Sequence, residues 1–224
     1  MGGYEIDGPH GPPSLLERYL FAASPVDEPR VCCLATATGD SPVMVARFYE
    51  ICDVLPCEPR HLALFQDRDV ADIDEYLFDV DVVYVLGGNT ASMLAVWRAH
   101  GIDVALRRRA AERELVVGGA SAGGMCWFTD GYTMSFGPLG PLNDGLGWFA
   151  GSFNPHAQQP ERLDAYVAAV ADGSVPAGWA VDDGAALHYI DGRLARVVRA
   201  SAGARVHAVS ESGAELVDSE LIPQ

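Results

Sequence analysis

The middle of the chain reads Val116-Val117-Gly118-Gly119-Ala120-Ser121-Ala122-Gly123-Gly124, where an apolar run gives way abruptly to small residues around one serine. The valines predict a short buried strand, and residues 119–123 have the G-x-S-x-G pattern of a nucleophile elbow. Such a tight strand-to-helix turn needs small neighbours, so that the Ser121 hydroxyl stands exposed above the sheet. The Ala122 N–H would then point at whatever the hydroxyl attacks. Glycine-rich turns also follow buried strands in proteins without a catalytic serine. Whether Ser121 is catalytic therefore depends on the presence of a base and a carboxylate to partner it.

Composition sets the first limits on function. The chain has 224 residues, 49% hydrophobic and 21% charged, an ordinary composition for one globular domain over residues 1–224. Its formal net charge is −16, and its basic residues are scattered apart from Arg107-Arg108-Arg109. Nucleic acids and anionic membranes both require a basic face, so neither is expected as a partner. A monomer and a homodimer are both left open.

The cysteines and the N-terminus indicate the compartment. The five cysteines are odd in number and include no C-x-x-C pair, so neither a disulfide framework nor a zinc site is predicted. The first residues lack the basic and apolar segments of a signal peptide, and no apolar run is long enough to span a membrane. These features predict a cytoplasmic protein in a reducing environment.

Short apolar runs alternate with helical patterns through the first half of the chain. Strands buried on both faces, typical of a parallel sheet, are predicted at residues 31–35, 61–65 and 82–86. Helices are predicted at residues 15–20, 42–54, 73–78, 90–101 and 104–113. The class is therefore α/β, a three-layer arrangement with a mostly parallel sheet flanked by helices. Ligands of such sheets bind beyond the carboxyl ends of the strands.

The remaining segments differ in character. Residues 1–13 are rich in glycine and proline and are expected to be irregular, like the aromatic-rich region 129–153 apart from short strands at 133–136 and 146–149. A helix is predicted over residues 160–171. The last part predicts C-terminal β-hairpins, with turns at Asp191-Gly192 and Ala202-Gly203 between strands at 185–190, 194–199 and 205–209.

A serine hydroxyl is a weak nucleophile unless a base lies within hydrogen-bond reach. Of the six histidines, His156 is the candidate base. It follows Ser152-Phe153-Asn154-Pro155, a stretch that predicts a loop leading into a helix, and such loops often carry catalytic side chains. Packing or surface positions explain the others more simply: His10, His61, His100, His188 and His207.

The third member of a triad orients the imidazole and stabilises its charged form. Asp182 and Asp183 follow an apolar run and precede Gly184, so one of them could serve the turn while the other faces His156. Asp183 is favoured, with Asp182 as the alternative. The order serine, histidine, aspartate differs from that of the α/β-hydrolases, which disfavours that class.

A second glycine turn, Gly87-Gly88-Asn89-Thr90, opens a predicted helix. It could cradle a phosphate in a nucleotide-binding flavodoxin-like protein, but neither the Walker pattern nor G-x-G-x-x-G is present. It could instead complete an oxyanion hole, with the Gly88 N–H facing that of Ala122.

Four motifs occur in a distinctive order: Gly87-Gly88-Asn89-Thr90, Gly119-Ala120-Ser121-Ala122-Gly123, Pro155-His156 and Asp182-Asp183-Gly184-Ala185-Ala186-Leu187. Together they resemble the dipeptidase E (peptidase E) family, which is related to cyanophycinase. The sequence is most similar to its actinobacterial branch, which also shows Cys126-Trp127-Phe128 after the elbow. The resemblance runs from about residue 30 to residue 209 and implies a class I glutamine amidotransferase-like (flavodoxin-like) fold.

The resemblance implies a serine peptidase that cleaves aspartyl dipeptides without a metal or organic cofactor. It assigns Ser121 as nucleophile, His156 as base and Asp183 as the third member. The oxyanion hole would consist of Gly88 and Ala122, and the substrate-binding residues would be Asn89 and Arg162. An arginine can hold an acidic substrate side chain; alternatively, Arg162 pairs with Glu161 or Asp164 on a helix face.

The sequence departs from the branch at three places. Met134 stands where an aspartate is usual, Ala157-Gln158-Gln159 replace an aromatic and acidic residues, and Ala120 replaces a larger residue. The first change favours Asp183 as the triad carboxylate, and the second affects specificity. The alternative hypothesis is a catalytically inactive amidotransferase-like protein that binds small molecules or peptides.

Overall fold

The computed structural model describes residues 1–3, 12–65 and 70–223. Its α-helices are α1 (Leu15–Phe21), α2 (Pro42–Cys52), α3 (Ile73–Phe78), α4 (Thr90–His100), α5 (Ile102–Glu112), α6 (Ala122–Met125) and α7 (Pro160–Ala171). Its strands are β1 (Arg30–Leu34), β2 (Glu58–His61), β3 (Val82–Val85), β4 (Val116–Gly119), β5 (Phe128–Thr133), β6 (Gly140–Leu142), β7 (Phe149–Pro155), β8 (Gly178–Val181), β9 (Ala185–Ile190), β10 (Arg193–Arg199), β11 (Val206–Ser210), β12 (Gly213–Leu216) and β13 (Glu220–Leu221).

The N-terminal half forms a parallel sheet in the order β2-β1-β3-β4. Side chains alternate between its two faces, as in any strand. Cys32 and Leu34 belong to a core with Trp97 of α4, whereas Val31 and Cys33 belong to a core with α2. Helices therefore cover both faces, and the predicted three-layer α/β class is confirmed.

The C-terminal half forms a mixed sheet in the order β12-β11-β8-β7-β5-β6. Strand β7 lies parallel to both β5 and β8, and Tyr166 of α7 packs in the core on one side. Strands β9 and β10 form the predicted hairpin through Asp191-Gly192, and β13 joins its edge. The short helix α6, directly after the elbow, connects the two sheets.

Most helices lie where the sequence predicts them. Ser14 and Glu17 form a capping box at the start of α1. Gly101 ends α4 in the left-handed conformation, with φ 73°. Arg109 of α5 is buried: it is 2% exposed and donates hydrogen bonds to the carbonyls of Val80, Arg113 and Glu114.

The prediction of a strand at residues 61–65 is wrong in position, since β2 covers Glu58–His61. The strand that pairs with β1 is β2, which is polar because it lies at the sheet edge. Beyond it, Leu64 and Phe65 donate their backbone N–H groups to the Asp40 carboxylate. Because these donors are already satisfied, the apolar segment does not continue as a strand.

Region 129–153 is more regular than its composition indicates. The strands predicted at 133–136 and 146–149 are wrong: β5 ends at Thr133, and residues 134–139 form turns and bends before β6. Residues 152–155 lie in β7 and not in a loop. Glycines weaken the sequence pattern of these strands, but close packing requires the glycines. A Cβ at Gly151 would lie 2.6 Å from the Ala177 carbonyl oxygen.

The hairpin predicted at Ala202-Gly203 is also wrong. Strand β11 pairs with β8 and β12, not with β10. Asp182, at the end of β8, fixes this arrangement: its backbone N–H donates to the Arg205 carbonyl at 3.0 Å, and its carboxylate accepts the Arg205 N–H at 2.9 Å.

Only part of the predicted irregular segment, residues 1–13, lies among the described residues. Residues 4–11, including His10, lie outside the described residues. Gly3, predicted to be irregular, forms an isolated parallel bridge with Asp183. Within the described part of the chain, none of the helices combines the length and apolar character needed to cross a bilayer.

Candidate active site

Ser121 stands at the turn between β4 and α6. Its backbone has φ 54° and ψ −113°, a combination that is strained for a residue with a side chain. Its neighbours must be small, since a Cβ at Gly123 would overlap the Val85 carbonyl oxygen. The close packing of β3 against the elbow therefore imposes the glycine and presents the serine at the carboxyl edge of the sheet.

His156 follows β7 at the same edge and also has positive φ, 57°. Its Nε2 lies 2.8 Å from Ser121 Oγ. Its Nδ1 lies 2.6 Å from Asp183 Oδ1. The tautomer that satisfies both contacts donates from Nδ1 to the carboxylate and accepts the serine proton at Nε2.

Asp183, not Asp182, faces the histidine. Asp182 is 2% exposed and its carboxylate accepts the Arg205 N–H at 2.9 Å, so it serves the junction of β8 and β11. The sequence favoured Asp183 and kept Asp182 as the alternative. Adjacent aspartates point to opposite sides of the extended chain, which divides the two roles between them.

Gln158 holds the second oxygen of Asp183. Its Nε2 donates to Asp183 Oδ2 at 2.6 Å, and its Oε1 accepts the Asp183 N–H at 3.0 Å. Burial by itself would raise the pKa of Asp183. The hydrogen bond and charge of His156, the Gln158 hydrogen bond and the Arg162 charge outweigh burial and hold that pKa below its usual value. The carboxylate is therefore ionised at neutral pH.

Gly88 and Ala122 are the two residues near Ser121 that were predicted to form an oxyanion hole. A Cβ at Gly87 would lie 3.5 Å from Ser121 Cβ, so the Gly87-Gly88 turn packs against the elbow. Gly88 has φ 144° and its Cα approaches Ala37 too closely for a side chain. Among the described residues, neither the Gly88 N–H nor the Ala122 N–H donates to a protein acceptor.

Arg162, in the first turn of α7, points under the end of β5. Its Nε donates to Asn154 Oδ1 at 3.1 Å and its Nη2 to the Tyr132 carbonyl at 3.0 Å. It forms no ion pair with Glu161 or Asp164, and Nη1 has no hydrogen-bond acceptor in the described part of the chain. Burial lowers the pKa of its guanidinium, against the opposing charge of Asp183.

The family model for peptidase family S51 matches residues 13–197, which is most of the chain. The chain belongs to peptidase family S51. The predicted kinship with peptidase E is thereby confirmed, and the protein is a peptidase hydrolase.

Relatives of this S51 peptidase agree with the family and the fold. It is 38% identical over 222 residues to uncharacterized peptidase YgaJ of Bacillus subtilis (strain 168), covering 98% of this chain and 94% of that protein. A peptidase from an acI-B1 Actinobacterium has a similar fold, with TM-score 0.61 and 18% identity over 92% of this chain and 86% of the other. A candidate peptidase E protein from Listeria monocytogenes EGD-e gives TM-score 0.56 and 15% identity over 90% and 93%.

Asn89 of the S51 peptidase holds the turn at residues 134–137 against α4. Its Oδ1 accepts the Ser92 N–H at 2.8 Å, and its Nδ2 donates to the Ser135 carbonyl at 3.0 Å. One Nδ2 hydrogen is left over. On either side of Ser135, Met134 and Phe136 are 63% and 71% exposed. The turn therefore presents two apolar side chains beside the glycine turn that precedes Asn89.

Two residues at this site were missed by sequence reasoning: Gln158, and Gly3, which forms a bridge with Asp183. The position two residues after His156 could have pointed to Gln158, but the sequence offered no reason for an amide there. Gly3 carried no such signal. In the described residues, no group of three or more His, Cys, Asp or Glu side chains is placed to hold a metal ion.

Proposed function

We propose that this S51 peptidase is a serine peptidase that forms an acyl-enzyme on Ser121. The observation that carries the proposal is the unbroken hydrogen-bond chain from Ser121 to His156 at 2.8 Å and from His156 to Asp183 at 2.6 Å. A nucleophile, a base and an orienting carboxylate in this order are the arrangement that activates a serine hydroxyl.

The reaction follows from the placement of the protons. His156 Nε2 takes the Ser121 proton as Oγ attacks the scissile carbonyl carbon, and the imidazolium then gives that proton to the leaving amine. Water, activated by the same nitrogen, hydrolyses the ester and releases Ser121. Asp183 holds the Nδ1 proton and balances the imidazolium charge.

The free N–H groups of Gly88 and Ala122 supply the oxyanion hole in this proposal. Ala122 directly follows Ser121, and the Gly87-Gly88 turn packs against the elbow at the carboxyl edge of the sheet. Donors fixed by the backbone stabilise the developing negative charge without reorganisation, which is where such sites obtain much of their rate enhancement.

The substrate class we propose is an aspartyl dipeptide, Asp-X. The chain has a net charge of −16, so an acidic substrate requires a local cation to bind. Arg162 supports this role, because two of its nitrogens are fixed by the protein while Nη1 is available. A fixed, partly buried guanidinium attracts a carboxylate more strongly than a mobile surface arginine does. The remaining Nδ2 hydrogen of Asn89 would bind the substrate backbone.

The exposed pair Met134 and Phe136 supports an apolar residue X. Leaving two large apolar side chains in water is unfavourable, and a substrate side chain would cover them. Hydrogen bonds from Asn89 and Ala91 to Ser135 hold the pair in place, so little conformational entropy is lost on binding.

The proposed function is tested with X-Leu dipeptides in which X is Asp, Glu, Asn, Ala or Lys. The wild type should cleave Asp-Leu best, and Ser121→Ala should cleave none. Arg162→Gln should lower kcat/KM for Asp-Leu about 10- to 100-fold, the size of a charged hydrogen bond, and change Ala-Leu little. Arg193→Gln, which alters an exposed arginine, is the matched control.

Each result has a distinct meaning. Cleavage of Asp-Leu by Ser121→Ala would contradict the serine mechanism. A wild type that prefers another dipeptide, with activity lost in Ser121→Ala, would leave the mechanism intact and remove Arg162 as the reader of an acidic side chain.

A further inference from the structure

The first three residues of the chain, here called the N-terminal segment (residues 1–3), run beneath the candidate active site. The Met1 nitrogen donates to the Gly119 carbonyl at 3.0 Å. The Met1 carbonyl accepts the Ser121 N–H at 3.1 Å. A Cβ at Gly124 would lie 2.8 Å from that same carbonyl oxygen, so the segment and the elbow are in direct contact. The backbone of the strained Ser121 is thus hydrogen-bonded to Met1.

The same segment pairs with the Asp183 turn. The Gly2 N–H donates to the Ala185 carbonyl at 3.0 Å, and the Gly184 N–H donates to the Gly3 carbonyl at 3.4 Å. Gly3 and Asp183 form a parallel bridge, and both glycines of the segment are buried. The segment therefore bonds both to the elbow that carries Ser121 and to the turn between β8 and β9 that carries the triad carboxylate.

The missing side chain of Gly3 makes room for the aspartate–histidine contact. A Cβ there would overlap Asp183 Oδ1, the atom that bonds His156 Nδ1, and would lie 2.6 Å from Asp183 Cγ. It would also lie 2.9 Å from His156 Cε1. The φ of Gly3 is not in the left-handed region, so the glycine is required for space and not for its backbone conformation.

We propose that the N-terminal segment is a positioning element of the catalytic machinery, with Gly3 as its decisive residue. Met1 holds the Ser121 backbone, and Gly3 leaves the Asp183 carboxylate free to reach His156. This inference rests on the proposed function, because it gives Asp183 and His156 their catalytic roles. Gly3 acts through Asp183 and touches no reacting atom.

The test is a double-mutant cycle of Gly3→Ala with Asp183→Ala, since a cycle isolates the contact between two residues. The main readout is the rate at which an aryl fluorophosphonate labels Ser121, which needs no knowledge of the peptide substrate. A second readout is the far-downfield proton resonance of the His156 Nδ1–H bonded to Asp183. Gly203→Ala is the matched control, because its Cβ would meet nothing within 4 Å.

Gly3→Ala should slow labelling about 10- to 100-fold, as displacements of about 1 Å do at catalytic groups, and remove the downfield resonance. The Asp183→Ala background lacks the two Asp183 atoms that the new Cβ would overlap, and its His156 ring, no longer bonded to a carboxylate, is free to move from the remaining 2.9 Å approach at Cε1. Adding Gly3→Ala there should change the labelling rate less than about twofold. Gly203→Ala should keep the wild-type rate and resonance.

Wild-type labelling in Gly3→Ala, or the same fold loss in both backgrounds, would overturn the proposal and leave the segment a merely structural role. If Gly3→Ala alone fails to fold, a double variant that folds and labels like Asp183→Ala supports the contact, and one that does not overturns it. A wild type that shows the resonance but is never labelled would instead count against the proposed function.

Discussion

Ser121 and His156 both have positive φ, 54° and 57°, and their side chains meet at 2.8 Å. Such backbone conformations are unfavourable by about 1–3 kcal/mol each for residues other than glycine, and they persist where the surrounding structure enforces them. Around Ser121 the chain is held by the bond from its N–H to the Met1 carbonyl and by the close packing of Gly123 on Val85. Around His156 it is held by β7 on one side and by the Ala157 N–H bond to the Val181 carbonyl on the other. Of the four non-glycine residues with positive φ in the described part of the chain, two are thus the residues whose side chains must meet.

The strain at the elbow predicts that position 121 is more stable with a residue that lacks a Cβ. Ser121→Gly should be more stable than Ser121→Ala by about 1 kcal/mol, because glycine adopts this conformation without a Cβ penalty, and both variants should be inactive. Urea unfolding of the pair measures the difference. At Ser174, which is exposed and lacks positive φ, glycine should not be more stable than alanine. Equal stabilities of the two Ser121 variants would contradict the prediction.

Gln158 should matter for turnover although it lies on the surface. Gln158→Ala removes the donor to Asp183 Oδ2 and the acceptor of the Asp183 N–H, so we expect kcat to fall about tenfold with little change in KM. Gln159→Ala, one residue away and without a side-chain cap bond, serves as the control in steady-state assays. An unchanged kcat in Gln158→Ala would mean that His156 alone orients the carboxylate.

The lowered pKa of Asp183 predicts how its contribution to stability varies with pH. Because the carboxyl binds its proton less readily in the folded state than in the unfolded state, its contribution is present above the unfolded pKa of about 3.9 and is lost as the pH falls through the lower, folded pKa. The stability difference between wild type and Asp183→Asn, measured by urea unfolding, should therefore shrink from pH 7 to about pH 3. A difference that grows in acid would contradict this sign.

The exposed pair Met134 and Phe136 predicts selectivity for the residue after the cleaved bond. Met134→Ser and Phe136→Ser should lower kcat/KM for Asp-Phe about tenfold, the size of a lost apolar contact, and leave Asp-Gly nearly unchanged. Val104→Ser, at an equally exposed position on α5, should alter neither. A parallel loss on both substrates would show that the turn shapes the site rather than the specificity.

Buried strands were the most predictable part of the fold. Strand β3 is a continuous apolar run, and its residues alternate between two cores as a parallel strand must. Edge strand β2 was misplaced because it is polar, and β7 was hidden by glycine and serine. Tertiary packing, not local pattern, sets the positions of both strands.

The candidate site was predictable to the extent that its residues lie in local motifs. Ser121 and the Gly87-Gly88 turn each carry one. Gln158 was visible only as a departure from the family pattern. Gly3 acts through the space it leaves empty, and its partner Asp183 lies near the other end of the chain, so no periodicity or spacing reports it.

The central claim is that Ser121 is the nucleophile, and covalent labelling tests it most directly. After incubation with an aryl fluorophosphonate, intact-mass analysis should show one adduct per chain, peptide mapping should place it on Ser121, and Ser121→Ala should remain unlabelled. An adduct on another residue, or no adduct together with dipeptide cleavage that survives in Ser121→Ala, would contradict the account.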